Sequence, residues 1–79
     1  MNRRAFFRRV RGAASLELSC ERLFIRYMEA RRQGTVGEFV AALETEARSA
    51  GEVRVTSREW LSREDFRRTV APVLTRITR

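Results

Sequence analysis

TVGEFVAALETEARSAGEVRVT, residues 35–56, contains a complete helix pattern followed directly by a strand pattern, and this pair decides the fold class. Thr35, with Glu38 three residues later, predicts a capping box that satisfies free backbone donors at the start of the helix. Gly51 predicts the end of the helix, and the alternating β-branched residues 52–56 predict a strand. The helix has one apolar stripe, which consists of Val36, Phe39, Val40, Leu43 and Ala47.

Residues 15–34 predict a short strand and another helix before this unit. Leu16 and Leu18 alternate with polar residues, as in a strand that pairs with residues 52–56. Ser19 suits an N-cap and Gly34 a C-terminal stop for the helix between them. Residues 20–28 also alternate as a strand would, so both structures stay open there, although residues 29–33 are strong helix formers and favour the helix. The apolar side of that helix consists of Cys20, Leu23, Phe24, Tyr27 and Met28.

Residues 57–79 predict a single turn and a last helix. Ser57 is expected to open the turn, and Ser62 with Asp65 to cap the helix. Pro72 has no backbone donor and clashes with the preceding turn, so a kink or break is expected at 69–71. The apolar face of the helix consists of Phe66, Val70, Val73, Leu74 and Ile77.

These elements predict a small, mostly helical α+β domain. It has three main helices, a minimal two-stranded element and a basic N-terminal helix or arm. Residues 1–12 form that arm, and residues 13–79 form the domain. No apolar run approaches the roughly 18 residues that a transmembrane helix needs, so a membrane-spanning chain is not expected.

Positive charge is concentrated at the ends of the chain. All 17 basic residues are arginine, and the net charge is +7. Residues 1–12 carry +5 with no acidic residue, residues 13–57 carry −1, and residues 58–79 carry +3. A basic arm on a near-neutral body is typical of an interaction tail.

We expect the arm to bind a polyanion, since arginine guanidinium groups pair with phosphates. RNA or DNA is favoured over an anionic membrane surface, which also suits a basic amphipathic helix. The expected contacts are Arg3, Arg4, Arg8, Arg9, Arg11, Arg67 and Arg68. The expected hydrophobic anchors are Phe6, Phe7, Val10 and Trp60.

The sequence offers little for catalysis, and we expect a protein that is not an enzyme. It contains no histidine, the commonest general base and metal ligand. Cys20 is the only candidate nucleophile, and the interpretation as a buried core residue is favoured. The acidic pairs Glu44 with Glu46 and Glu64 with Asp65 are expected to be solvated or to stabilise a helix start rather than to converge on a substrate. No metal, cofactor or small-molecule substrate is expected.

Residues 2–8, NRRAFFR, resemble the n-region motif of twin-arginine export signals, in which paired arginines precede a phenylalanine and another apolar residue. The matching positions are Arg3, Arg4, Phe6 and Phe7, and Asn2 stands where serine or threonine is usual. The resemblance implies export, but the apolar h-region of such signals is lacking, because Glu17 ends the short run after Gly12.

The sequence therefore predicts a non-enzymatic interaction module or accessory subunit. Its domain is expected to dock on a protein partner, and its arm on RNA or DNA, in the cytoplasm. The alternative is an exported or membrane-associated accessory protein that uses the twin-arginine-like start.

Overall fold

The computed structural model describes residues 15–78, and the predicted arm at residues 1–12 lies outside this range. The elements follow one another as β1 (Ser15–Ser19), α1 (Cys20–Gln33), α2 (Val36–Arg48), β2 (Glu52–Thr56), a 3₁₀ helix (Arg58–Ser62) and α3 (Glu64–Ile77). The predicted α+β class with three helices and two strands is confirmed.

The two strands pair with each other in parallel, from Ser15 opposite Glu52 to Ser19 opposite Thr56. They are parallel because α1 and α2 form a helical hairpin that returns the chain to the starting end of β1. Leu18 is buried, and Leu16, Val53 and Val55 pack against the core. The predicted pairing of the two strands is confirmed.

Residues 20–28 belong to helix α1, so the favoured helix is confirmed and the alternative of a long strand is wrong. The Ser19 hydroxyl oxygen accepts a hydrogen bond from the Arg22 backbone N–H at 3.4 Å, as its predicted N-cap role requires. Gly34 has a left-handed φ of 73°, and Thr35 N–H donates to the Ala30 carbonyl at 2.8 Å, which closes the helix in a Schellman-type turn. Met28 was expected on the buried side but is 42% exposed, because it lies at the margin of the apolar stripe.

The side-chain caps of α2 and α3 differ from the predictions. Thr35 precedes α2 but makes no side-chain cap hydrogen bond, so the predicted capping box is wrong. Only Gly34 and Thr35 separate the two helices. The backbone N–H of Thr35 donates to the Ala30 carbonyl and so closes α1. Ser62 is the last residue of the 3₁₀ helix, and Arg63 is the N-cap of α3 without a side-chain bond, so the predicted Ser62 cap is also wrong.

Helix α3 runs without a break through Pro72, so of the kink or break predicted at 69–71 the break is wrong. Pro72 is exposed, so its ring does not disturb the core. The lost backbone hydrogen bond is offset by burial of the opposite face of the helix. That buried face consists of Phe66, Val70, Val73 and Leu74, all of which were predicted.

The core is entirely apolar within residues 15–78, where no polar or charged residue is buried. Its centre is an aromatic cluster in which the Phe66 ring lies 5.3 Å from Phe24 and 5.5 Å from Tyr27. Phe39 of α2 extends the cluster, 6.4 Å from Tyr27. This cluster joins α3 to the helical hairpin.

The two described glycines with open space at their Cβ positions provide a matched test of the α1–α2 turn. Gly34→Ala should lower the free energy of unfolding by about 1 kcal/mol, because alanine is strained at its left-handed φ. Gly37→Ala, inside α2, should raise it by a few tenths to about 1 kcal/mol. Urea unfolding followed by circular dichroism measures both changes. Equal effects of the two substitutions would contradict the left-handed closure at Gly34.

Candidate functional site

The folded part of the chain is close to electrically neutral. Residues 15–78 contain eleven arginines and ten acidic residues, which leaves a net charge of +1. Most of the net charge of +7 therefore belongs to residues 1–14, and Arg79 adds one charge. Within the described part, five surface ion pairs form, between Arg26 and Glu46, Arg31 and Asp65, Arg32 and Glu29, Arg68 and Glu64, and Arg76 and Glu44.

Most of the predicted polyanion-binding residues lie outside the described range. Residues 13–14 connect the arm to Ser15, the first residue of β1, so the arm joins the domain at the amino end of the sheet. This is the end at which β2 begins, with Glu52 opposite Ser15. The predicted contacts and anchors that fall outside the description are Arg3, Arg4, Phe6, Phe7, Arg8, Arg9, Val10 and Arg11.

Trp60 lies half-buried at the edge of the aromatic cluster, with its ring 5.4 Å from that of Phe24. The Arg63 guanidinium lies 4.3 Å from the centroid of the Trp60 ring and 5.0 Å from that of Phe24. Three residues make one turn of a 3₁₀ helix, so Arg63 comes to lie over Trp60. Sequence reasoning missed Arg63, and its spacing of three residues from the single tryptophan was the available signal.

The other two predicted contacts of this region differ in their surroundings. Arg67 donates from Nη1 to the carbonyl oxygen of Leu61 at 3.4 Å, which holds its guanidinium near the 3₁₀ helix. Arg68 Nη2 instead lies 2.5 Å from Glu64 Oε2. Phe66 is 1% exposed and belongs to the core, as its place on the predicted apolar face of the last helix requires. We call Phe24, Trp60, Arg63 and Arg67 the Trp60 patch.

Cys20 lies in the core, with 0% of its surface exposed. Burial raises the pKa of the Cys20 thiol above its ordinary value, and the nearby Arg58 lowers the pKa by less than burial raises it. The thiol is therefore protonated at neutral pH, whereas a catalytic cysteine acts as an exposed thiolate. The interpretation of Cys20 as a core residue agrees with this geometry.

The acidic pairs do not converge. Each of the four carboxylates forms an ion pair with a different arginine, Glu44 with Arg76, Glu46 with Arg26, Glu64 with Arg68 and Asp65 with Arg31. Among residues 15–78, no group of three or more histidine, cysteine or acidic side chains lies close enough together to hold a metal ion. None of the helices within this range is long and apolar enough to cross a bilayer.

Comparison with known proteins returns no family. No protein-family model matches the chain, and no significant match is found among curated proteins or solved structures.

Cys20 provides a direct test of the catalytic alternative. Alkylation of the native thiol by iodoacetamide at neutral pH should be at least roughly 100-fold slower than in denaturant, because reaction requires the core to open. Mass spectrometry of quenched samples measures the rate. Ala42→Cys in a Cys20→Ala chain supplies a matched control, since Ala42 is exposed on α2 and its cysteine should react fast. Rapid alkylation of native Cys20 would reopen the hypothesis of an enzyme.

Proposed function

We propose that this chain is a non-enzymatic interaction module, or an accessory subunit of a larger complex, whose basic arm binds a polyanion. The observation that carries the proposal is the separation of charge along the chain. The folded residues 15–78 have a net charge of only +1, whereas residues 1–12 hold five arginines and no acidic residue. Long-range attraction to a polyanion therefore depends on the arm, because the net charge of the domain adds little to it.

The five arginines of the arm suit phosphate groups in number and kind. Each guanidinium group offers a planar set of donors that pairs with two phosphate oxygens, and each neutralised phosphate releases counterions. Phe6 and Phe7 lie between the arginine pairs and add stacking or apolar contact. The folded domain then presents a protein partner with a surface that the polyanion does not cover.

RNA or DNA is the favoured polyanion, and the Trp60 patch supports this choice. Single-stranded nucleic acids bind surfaces that combine aromatic rings with arginines, and bases stack on guanidinium planes as well as on rings. Arg63 lies over the Trp60 and Phe24 rings, and Arg67 is held nearby by the Leu61 carbonyl. This arrangement lets the patch extend the contact that the arm begins. Such a protein works in the cytoplasm.

The second candidate is an exported or membrane-associated accessory protein. The observation in its favour is the likeness of Arg3-Arg4-Ala5-Phe6-Phe7 to the twin-arginine motif. In that case the same residues serve as an export signal or as an anchor on anionic lipid.

The salt dependence of binding separates the arm from the domain. For a duplex DNA oligonucleotide, five contacts by the arm predict a slope of log K against log salt of about −4.5. Arg3→Gln/Arg4→Gln/Arg8→Gln should reduce that slope in magnitude by about 2.7, since three phosphate contacts disappear. Fluorescence anisotropy of a labelled oligonucleotide at several salt concentrations measures both slopes.

The matched control removes the same charge from the domain. Arg22, Arg48 and Arg58 are exposed, and none has an acidic ion-pair partner within residues 15–78. Their triple substitution by glutamine should leave the slope unchanged. Equal losses from the two triple variants would show attraction to net charge alone and overturn the assignment to the arm. Tighter binding to phosphatidylserine vesicles than to RNA or DNA would favour the membrane alternative.

Replacement of Arg3-Arg4 by Lys-Lys distinguishes a role of these residues as an export signal from a role in polyanion binding. Charge is retained, so polyanion binding should fall by less than about threefold. Twin-arginine recognition should instead be lost. A reporter protein fused after this chain, followed by cell fractionation, measures export. Export of the arginine form and retention of the lysine form would support the second candidate over the first.

A further inference from the structure

The outer edge of β2 has no hydrogen-bonding partner in the described part of the chain. The sheet contains two strands, so each has one neighbour and one outer edge within residues 15–78. Apart from β1, no described element forms a backbone hydrogen bond with β2. Such an edge is a template for another strand, and a two-stranded sheet is only marginally stable by itself.

The side chains of β2 are arranged so that the strand complements a second copy of itself. Val53 and Val55 are half-buried and pack against the core, whereas Glu52 and Arg54 are exposed on the other face of the sheet. An antiparallel pair with a two-fold axis at Val53 places Glu52 of each copy opposite Arg54 of the other. Opposite charges in directly facing positions stabilise a sheet, and the two-fold axis forms this contact twice.

The same operation centred on any other residue of the two strands pairs no acidic strand residue with a basic one, and at a charged residue it brings like charges together. A two-fold axis at Arg54 places the two Arg54 side chains opposite each other. An axis at Glu17, the centre of β1, does the same with two glutamates. Charge therefore selects the edge of β2 and the register centred on Val53.

We infer that two copies of this chain associate through β2 and form a four-stranded sheet in the order β1-β2-β2-β1. The Val53 and Val55 side chains of both copies then face the same side, so the two helical layers lie on one face. The arms join the sheet at its opposite ends. A short edge buries little surface, so the dimer is weak, with a dissociation constant of roughly 10–100 μM.

Charge reversal at the edge tests this pairing in the full-length protein without nucleic acid. Sedimentation equilibrium from about 10 μM to about 1 mM should show a monomer–dimer equilibrium for the wild type. Glu52→Arg and Arg54→Glu each turn two attractive pairs into repulsive ones. Each should weaken the dimer by roughly tenfold or more. An equimolar mixture of the two variants should form a heterodimer, because every facing pair is again opposite in charge.

Charge reversals outside the sheet serve as matched controls for the variants at Glu52 and Arg54. Glu38→Arg and Arg32→Glu alter the net charge equally on the exposed surface of the α1–α2 hairpin. Each should dimerise like the wild type. Circular dichroism shows whether every variant is folded, and if one single variant does not fold, the double variant Glu52→Arg/Arg54→Glu should still form a homodimer. A wild type that stays monomeric, variants that dimerise undiminished, or a mixture of folded variants that stays monomeric would each overturn the inference.

Discussion

The packing of Phe66 against Phe24 and Tyr27 is the contact on which the rest of the domain depends. These rings lie between 5.3 and 5.5 Å from Phe66 and connect the last helix to the helical hairpin. A chain of 79 residues buries a smaller fraction of its surface than a larger domain does, so a few large side chains supply much of its stability. The strands then need only to cover the remaining side of a core that contains no buried polar residue in the described range.

The near-neutral surface of the domain bears on the proposed function. The ion pairs on the helices are exposed, and each contributes little to stability. The ten acidic residues of the folded part balance all but one of its eleven arginines, which leaves it with a charge of +1. Positive charge available to a polyanion is thus concentrated in residues 1–12. In the proposed function, this division lets stability and polyanion binding be altered independently of each other.

Most of the secondary structure could be predicted from the sequence, because apolar periodicity is a local property. The stripe from Val36 to Ala47 and the face from Phe66 to Ile77 follow helical spacing, and both are packed as expected. The candidate site was predicted less completely. Trp60 and Arg67 were found by residue type, whereas the stacking of Arg63 on Trp60 depends on the 3₁₀ geometry between them. Phe66 was predicted on the buried face, but its contacts could not be predicted, since its neighbours Phe24 and Tyr27 are about 40 positions away in sequence.

By itself, the sequence determined the helix stripes, the two strand segments, the left-handed stop at Gly34 and the concentration of charge in the arm. Each follows from neighbouring residues, through side-chain spacing, backbone preference or charge. Only the tertiary structure decided that the strands are parallel, that Thr35 closes one helix and begins the next without a side-chain cap, and that α3 continues through Pro72. These outcomes depend on which surfaces meet in the core, because burial of an apolar face outweighs a single cap or one lost backbone hydrogen bond.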